Sequence, residues 1–289
     1  MSDKNNPYSA PDTGHVWDDS LRELLNQPPQ WWMIGFYASM LLVVVYWIIY
    51  PAIPLATTHT KGIKGWTAVG EYREDMAAIQ EVRAEYEGKI EALATNNGNN
   101  TSATAAAIMQ DDSLSEYVVR SGKVLFGDNC AACHGTEGSG NQGFPVLNDD
   151  DWLYGGTIQN IAQSITIGRT GSMPSHTMSD EELSKLTSAI LAGTPSNEPL
   201  FSEKGCFACH GADGKGMHAL GAANLTDGIW RFVAADQAES VKHTITHGVN
   251  MPGNPQSRNA VMPKFGGGKL TNTEIAKLSV YVHKLGGGQ

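Results

Sequence analysis

The chain has 289 residues, 41% of them hydrophobic, and a formal net charge of −10. That length accommodates two or three domains. The acidic balance argues against a nucleic-acid partner.

Residues 1–30 are polar and rich in proline and aspartate, which predicts an extended tail ending in a short amphipathic stretch, Asp18–Leu25. Residues 31–50 carry no charge. Twenty mostly apolar residues in a helix cover about 30 Å, the thickness of a bilayer's hydrocarbon core. Trp31, Trp32, Trp47 and Tyr50 stand at its ends, where aromatic belts form. Pro51 and Pro54 mark the exit. The polar residues ahead of this run, and its length, set it apart from a cleaved signal peptide. A retained transmembrane anchor over 31–56 is expected. Lys4 and Arg22 precede the span and Lys61, Lys64 and Arg73 follow it, so the positive-inside rule gives no clear orientation.

Beyond the span, Val69, Tyr72, Met76, Ile79, Val82, Tyr86, Ile90 and Leu93 recur at spacings of three and four. They predict one apolar stripe on a helix over 69–94, with charged residues on its other faces. Residues 95–107, TNNGNNTSATAAA, are polar and of low complexity and read as a linker. Residues 57–113 are therefore expected to be an amphipathic helix and a linker.

All four cysteines then fall in two copies of C-x-x-C-H, Cys130–His134 and Cys206–His210. The pattern is that of c-type haem attachment: two thiols add to the vinyl groups and the adjacent histidine reaches the iron. A redox dithiol or a zinc cage would need the cysteines but not a histidine after each pair. Each copy follows a helical segment. Each is followed by a loop bearing Trp152 or Trp230, a helix ending in Ile-Thr-x-Gly (Ile165–Gly168, Ile245–Gly248), a Met-Pro and a capped helix. The caps are Ser179 with Glu182 and Thr271 with Glu274. The expected fold is all-α: one N-terminal transmembrane helix followed by two tandem class I cytochrome c domains, at 114–195 and 196–289. Haem attachment occurs outside the bacterial inner membrane, which puts the bulk of the chain in the periplasm and the tail in the cytoplasm.

An electron-transfer iron needs a second axial ligand, and methionine opposite histidine raises the potential. The first repeat offers Met173 in a Gly-x-Met-Pro setting; Met178 lacks the proline. The second offers Met251 and Met262. Counting forward from His210 favours Met251, and counting back from the Glu274 cap favours Met262. His176, His218, His243 and His247 are weaker candidates, and Arg169 could pair with a haem propionate. Residues 114–195 carry 4 basic and 9 acidic residues and residues 196–289 carry 9 and 7. That split suggests that a basic donor docks on the first repeat.

The N-terminal run Thr13–Leu24, followed by Pro28-Pro29-Gln30-Trp31-Trp32 and a single span, resembles the diheme c subunit (subunit III) of cbb3-type cytochrome c oxidases. Residues 140–145, 150–156 and 224–227, and the stretch from Gly248 through Arg258 to Gly266, are similar to that subunit's haem loops and support Met262. The resemblance implies two covalent haem c groups held by Cys130, Cys133, His134, Cys206, Cys209 and His210. It also implies crossed axial ligation, Met173 serving the haem of His210 and Met262 that of His134. The implied partners are a catalytic subunit with b-type haem and copper, a monohaem cytochrome c subunit, a donor c-type cytochrome and the lipid bilayer. The implied function is to accept electrons and pass them inward, with oxygen reduced elsewhere. The alternative is a membrane-anchored diheme carrier serving a periplasmic dehydrogenase. A haem peroxidase or a gas sensor would need an open iron position, which a Met-Pro for each haem argues against.

Overall fold

A computed structural model describes residues 12–19, 21–25 and 27–287. Of the residues weighed in the sequence, Lys4 lies outside the described residues. The chain divides into two compact units, 1–82 and 83–289.

In the first unit the tail differs from the extended expectation. β1 (Asp12–Trp17) and β2 (Leu21–Leu24) form an antiparallel hairpin with Trp17 opposite Leu21. Asp18 and Asp19 make the turn with φ of 47° and 62°. Positive φ is costly for most L-residues, and aspartate tolerates it. α1 (Gln30–Ile49) buries no residue, is apolar on every face and has a mean hydropathy of 2.0. It has the length and composition of a membrane span, as the sequence predicts. Its last carbonyls have no helical partners. The chain turns back to satisfy them: Ile63 N donates to Ile48 O (2.9 Å) and Lys64 N to Ile49 O (3.0 Å).

α2 (Ala68–Asn96) begins in this unit and continues into the second from Arg83. Its predicted stripe divides in the same place. Val69, Tyr72, Ile79 and Val82 are exposed, whereas Ile90 is fully buried and Tyr86 stacks on Tyr117 at 4.6 Å.

The predicted linker at 95–107 is instead mostly helical. After a short turn, Asn100 caps α3 (Thr101–Met109) by accepting from Ala103 N, and Ala105 and Ile108 are fully buried. Their small and branched side chains pack beneath α4 (Asp112–Asn129) and α11 (Asn272–His283).

α11 also packs on α6 (Ile158–Ile167). One core therefore joins Leu114, Val118, Phe126, Ile158, Ile161 and Ile165 to Ile275, Leu278 and Val280. α7 (Asp180–Leu191) packs instead against α8 (Pro199–Glu203) and α10 (Gln237–His247), with Leu186, Ile190, Phe201, Val241 and Ile245 in a second core. The repeats at 114–195 and 196–289 have thus exchanged their C-terminal helices. Each packing unit contains residues of both, so the linear boundaries do not coincide with the cores. The helical class of the two cytochrome c domains is as expected from the sequence.

One ion pair ties α2 to this assembly. Lys277 is 8% exposed, and its Nζ donates to both Glu87 carboxylate oxygens at 2.9 and 3.0 Å. The Tyr117 hydroxyl donates to the same carboxylate. Burial alone would raise the Glu87 pKa, but the hydrogen bonds from Tyr117 and Lys277 outweigh it and hold the carboxyl below its usual value. Burial and then Glu87 push Tyr117 up to about 12. A depressed folded-state pKa means that Glu87 stabilises the fold at neutral pH and that this contribution fades as pH falls below the ordinary carboxylate range. Glu87→Gln strips a buried ammonium of its counter-charge. Glu87 is partly solvated, so thermal unfolding at pH 7 is expected to show a loss of about 2 kcal/mol, less than for a fully buried pair. The gap to the unsubstituted protein should narrow at pH 3.

Candidate haem-binding clefts

Each C-x-x-C-H is one helical turn that opens on a cleft. α4 ends at Asn129, and α5 (Ala131–His134) follows immediately from Cys130. In the second repeat α8 leads through Gly205 and Cys206 into α9 (Phe207–His210). His134 Nδ1 lies 2.9 Å from the Pro145 carbonyl and His210 Nδ1 lies 2.8 Å from that of Ala223. A carbonyl can only accept, so each Nδ1 carries the proton and each Nε2 keeps its lone pair. Burial holds both imidazoles below their usual pKa, which favours this neutral form. Burial also pushes Cys130 up to about 11 and raises Cys206. That is opposite to the lowered pKa of a reactive dithiol.

The first cleft, a cavity of about 350 Å³, is lined by Cys130, Cys133 and His134. Phe126, Trp152, Ile161, Ile165 and Phe265 contribute apolar walls. The second, about 260 Å³, is lined by Cys206, Cys209 and His210 with Leu186, Phe201, Trp230 and Ile245. Both are of the order of ligand pockets and mostly apolar. The two cysteine pairs face different cavities, which leaves no four-thiolate cage.

The methionines are crossed. Met262 lines the cleft of His134 and Met173 lines the cleft of His210. Met251 lines neither; it sits in a turn where its N donates to Ser257 Oγ at 2.9 Å. Met178 packs against the second core. Among the histidines, His176 lines the second cleft, whereas His218, His243 and His247 line neither. Arg169 lines the first cleft, held by Ser164 Oγ at 3.0 Å and lying over the Tyr154 ring at 4.4 Å.

Backbone pairing explains the crossing. β3 (Arg169–Thr170) and β4 (Val261–Met262) pair antiparallel, Arg169 opposite Met262. Gly171 N donates to Ala260 O (2.8 Å), and Met173 and Val249 exchange two bonds at 3.2 and 2.9 Å. Two glycines let the loops pass. Gly168, at φ 74°, would bring a Cβ within 2.6 Å of Met262 O, and Gly248, at φ 71°, within 2.5 Å of Met173 O. Each is the last residue of an Ile-Thr-x-Gly, so the repeated glycine marks where each helix admits the other repeat's Met-Pro. Asn250, at φ 51°, fastens both loops: Nδ2 donates to Gly171 O (2.6 Å) and Ala260 O (3.1 Å), and Oδ1 accepts from Ala260 N (3.1 Å). Asn250 belongs to the Gly248-x-Asn250 stretch on which the resemblance rests, but its role in joining the loops was not read from the sequence. An asparagine two residues after a helix-ending glycine is a weak signal of a left-handed corner.

The exchange also redistributes charge. Asp180, Glu181 and Glu182 belong to the first repeat by sequence but start α7, which packs beside the second cleft. The segments of the first core, 83–170 with 261–289, carry twelve acidic and nine basic residues, and 172–259 carry nine and six. Each group is thus net −3, so the charge difference read along the chain between the two repeats does not carry over to the two cores.

Three family profiles match the chain: the N-terminal domain of cytochrome oxidase-cbb3, FixP, over residues 9–57; cytochrome c oxidase, cbb3-type, subunit III, over 118–188; and cytochrome c over 198–286. The chain is 38% identical to the cbb3-type cytochrome c oxidase subunit FixP of Azorhizobium caulinodans, covering 96% of this chain and 93% of that protein. It is 38% identical to FixP of Bradyrhizobium sp. (strain ORS 278), covering 96% and 95%. It is 34% identical to the subunit CcoP of Cereibacter sphaeroides, covering 99% and 98%.

A Cβ at either glycine meets the other repeat's backbone in a conformation that L-residues resist. Gly168→Ala and Gly248→Ala are each expected to cost about 1–3 kcal/mol in thermal unfolding. NMR of the methionine methyls should show that Gly168→Ala disturbs Met262 first and Gly248→Ala disturbs Met173 first.

Proposed function

The chain belongs to the family of cbb3-type cytochrome c oxidase subunits FixP and CcoP, and from that premise we propose that it is the membrane-anchored diheme electron-entry subunit of such an oxidase. Electrons arrive from a donor c-type cytochrome and leave toward a catalytic subunit with b-type haem and copper, beside a monohaem cytochrome c subunit. Bound at the two clefts, haem c supplies one-electron redox chemistry and nothing else is required of this chain. Oxygen reduction belongs to the partner.

The observation that carries this reading is the pair of crossed clefts. Each brings together two thiols, an imidazole with its Nδ1 tied to a carbonyl, and a thioether from the other repeat. This donor set fits a His/Met haem c. The cysteines anchor the group, the carbonyl bonds fix the imidazole tautomer and orientation, and the apolar walls exclude water. His134 and Met262 would hold one iron, and His210 and Met173 the other. With Met262 and Met173 as second ligands, neither iron would keep an open site for oxygen or peroxide. The clefts share Leu153, Gly171, Gly221, Arg231 and Ala260 as walls. Contiguous clefts suit electron exchange within the chain.

α1 supplies the anchor. Haem attachment outside the inner membrane implies a cytoplasmic N-terminus and periplasmic clefts.

Purification from membranes by a C-terminal tag is expected to bring along b-type haem, copper and cytochrome c oxidase activity. A diheme protein alone, or one bound to a dehydrogenase without b-type haem, would favour the free carrier instead. Ligation is read in a one-haem protein. In Cys206→Ser/Cys209→Ser, Met262→Ala should turn the remaining iron high-spin while Met173→Ala leaves it low-spin. The reverse result would mean local ligation.

A further inference from the structure

Arg231 occupies a place that neither cysteine motif nor axial ligand explains. It lines both clefts, and of the five residues that do so it alone is charged. Its Nε donates to Gly143 O at 3.0 Å, and its carbonyl accepts from Gly143 N at 3.1 Å. Gln142 Nε2 reaches Val233 O at 3.3 Å beside it. Arg231 therefore stands where the loop after the first C-x-x-C-H meets the loop after the second.

The guanidinium has five donors in a rigid fork, and only Nε finds an acceptor. Among the described residues it makes no ion pair, and its Nη groups meet no protein acceptor. Burial lowers its affinity for its proton. A half-buried cation without an anion is costly unless an anion is supplied. The surroundings differ between the clefts. The first also has Arg169 and Lys269 in its lining, together with the carboxylate of Asp151. The second has no other arginine or lysine and no carboxylate. The anions due in both are haem propionates, two per group, for which a forked guanidinium is the natural partner.

Resting on the diheme reading above, we propose that Arg231 is a shared counter-cation for propionates of both haems, and that it sets both reduction potentials. A fixed positive charge disfavours the more positive, oxidised state of a nearby iron, so Arg231 raises both potentials. The second haem, with no other cation in its cleft, depends on it more. Arg231 is a positioning and tuning residue and does not ligate iron.

The test is a spectroelectrochemical titration of the purified full-length protein in its complex, with haem content measured alongside. Arg231→Gln is expected to retain two haems and to lower both potentials. The larger change falls on the haem of Cys206 and Cys209: roughly a tenfold shift toward the oxidised form, about 59 mV for one electron. Arg231→Lys keeps the charge and should shift either haem less than threefold. Two haems with unmoved potentials and lowered thermal stability in Arg231→Gln would make Arg231 a brace between loops and overturn the proposal. Fewer than two haems in the unsubstituted protein would instead sink the diheme reading. If Arg231→Gln fails to retain haem, the decision passes to infrared redox-difference spectra with ¹⁵N-guanidinium arginine in Arg169→Gln protein. A labelled band that responds to haem oxidation is expected; its absence overturns the proposal.

Discussion

The crossing of the two Met-Pro loops is the constraint on which the rest of the second unit depends. It consists of backbone bonds between residues 169–173 and 249–262, fastened by the side chain of Asn250. Because each loop leaves its own repeat just after a glycine and enters the other, the helix behind it follows. α7 goes to the second core and α11 to the first. The exchange is therefore a consequence of local sterics at Gly168 and Gly248 together with the apolar faces of two capped helices. It also makes the clefts neighbours. A shared set of walls is what two loops produce when each must serve the opposite cavity.

Much of this was legible from the residues. The C-x-x-C-H motifs each fold as one helical turn facing an apolar cleft, as haem attachment would require, and α1 announces itself by twenty uncharged positions. Both capping boxes form as read, Ser179 with Glu182 and Thr271 with Glu274. Periodicity also found α2 to within two residues at either end. What it could not find was which part of the stripe would be covered. Coverage depends on α4 and α11, remote in sequence.

The failures have physical causes. Residues 95–107 look like a linker because threonine, asparagine and alanine carry no hydrophobic periodicity. Yet alanine is what lets α3 lie close to α11, where Ala105 and Ala276 are both fully buried. The hairpin at 12–24 lacks the glycine that usually signals a tight turn, and Asp18 and Asp19 take its place. The exchange of helices is invisible to any reading of one repeat at a time, since each repeat is complete in its own pattern. The resemblance to a known family implied crossed methionines but not the exchange of helices. The charge pattern along the chain is redistributed for the same reason: the acidic first turn of α7 travels with its helix. Met251 and Met262 could not be separated by counting, because the two counts start from opposite ends of a loop whose length differs between the repeats.

The exchanged helices also govern the order in which the molecule is completed. α11 lies about 140–180 residues beyond the α3 and α4 surfaces it covers, so the first cleft cannot close until the last helix of the chain has been made. The second core uses segments between 180 and 247 and is finished earlier. Contacts of such long sequence separation carry a large loop-closure cost and form late. The cysteine pair that emerges first therefore waits, in an open half-core, for the end of the chain. The pair that emerges second enters a nearly finished one. The two cores thus become complete in the reverse of the order in which their cysteine pairs emerge.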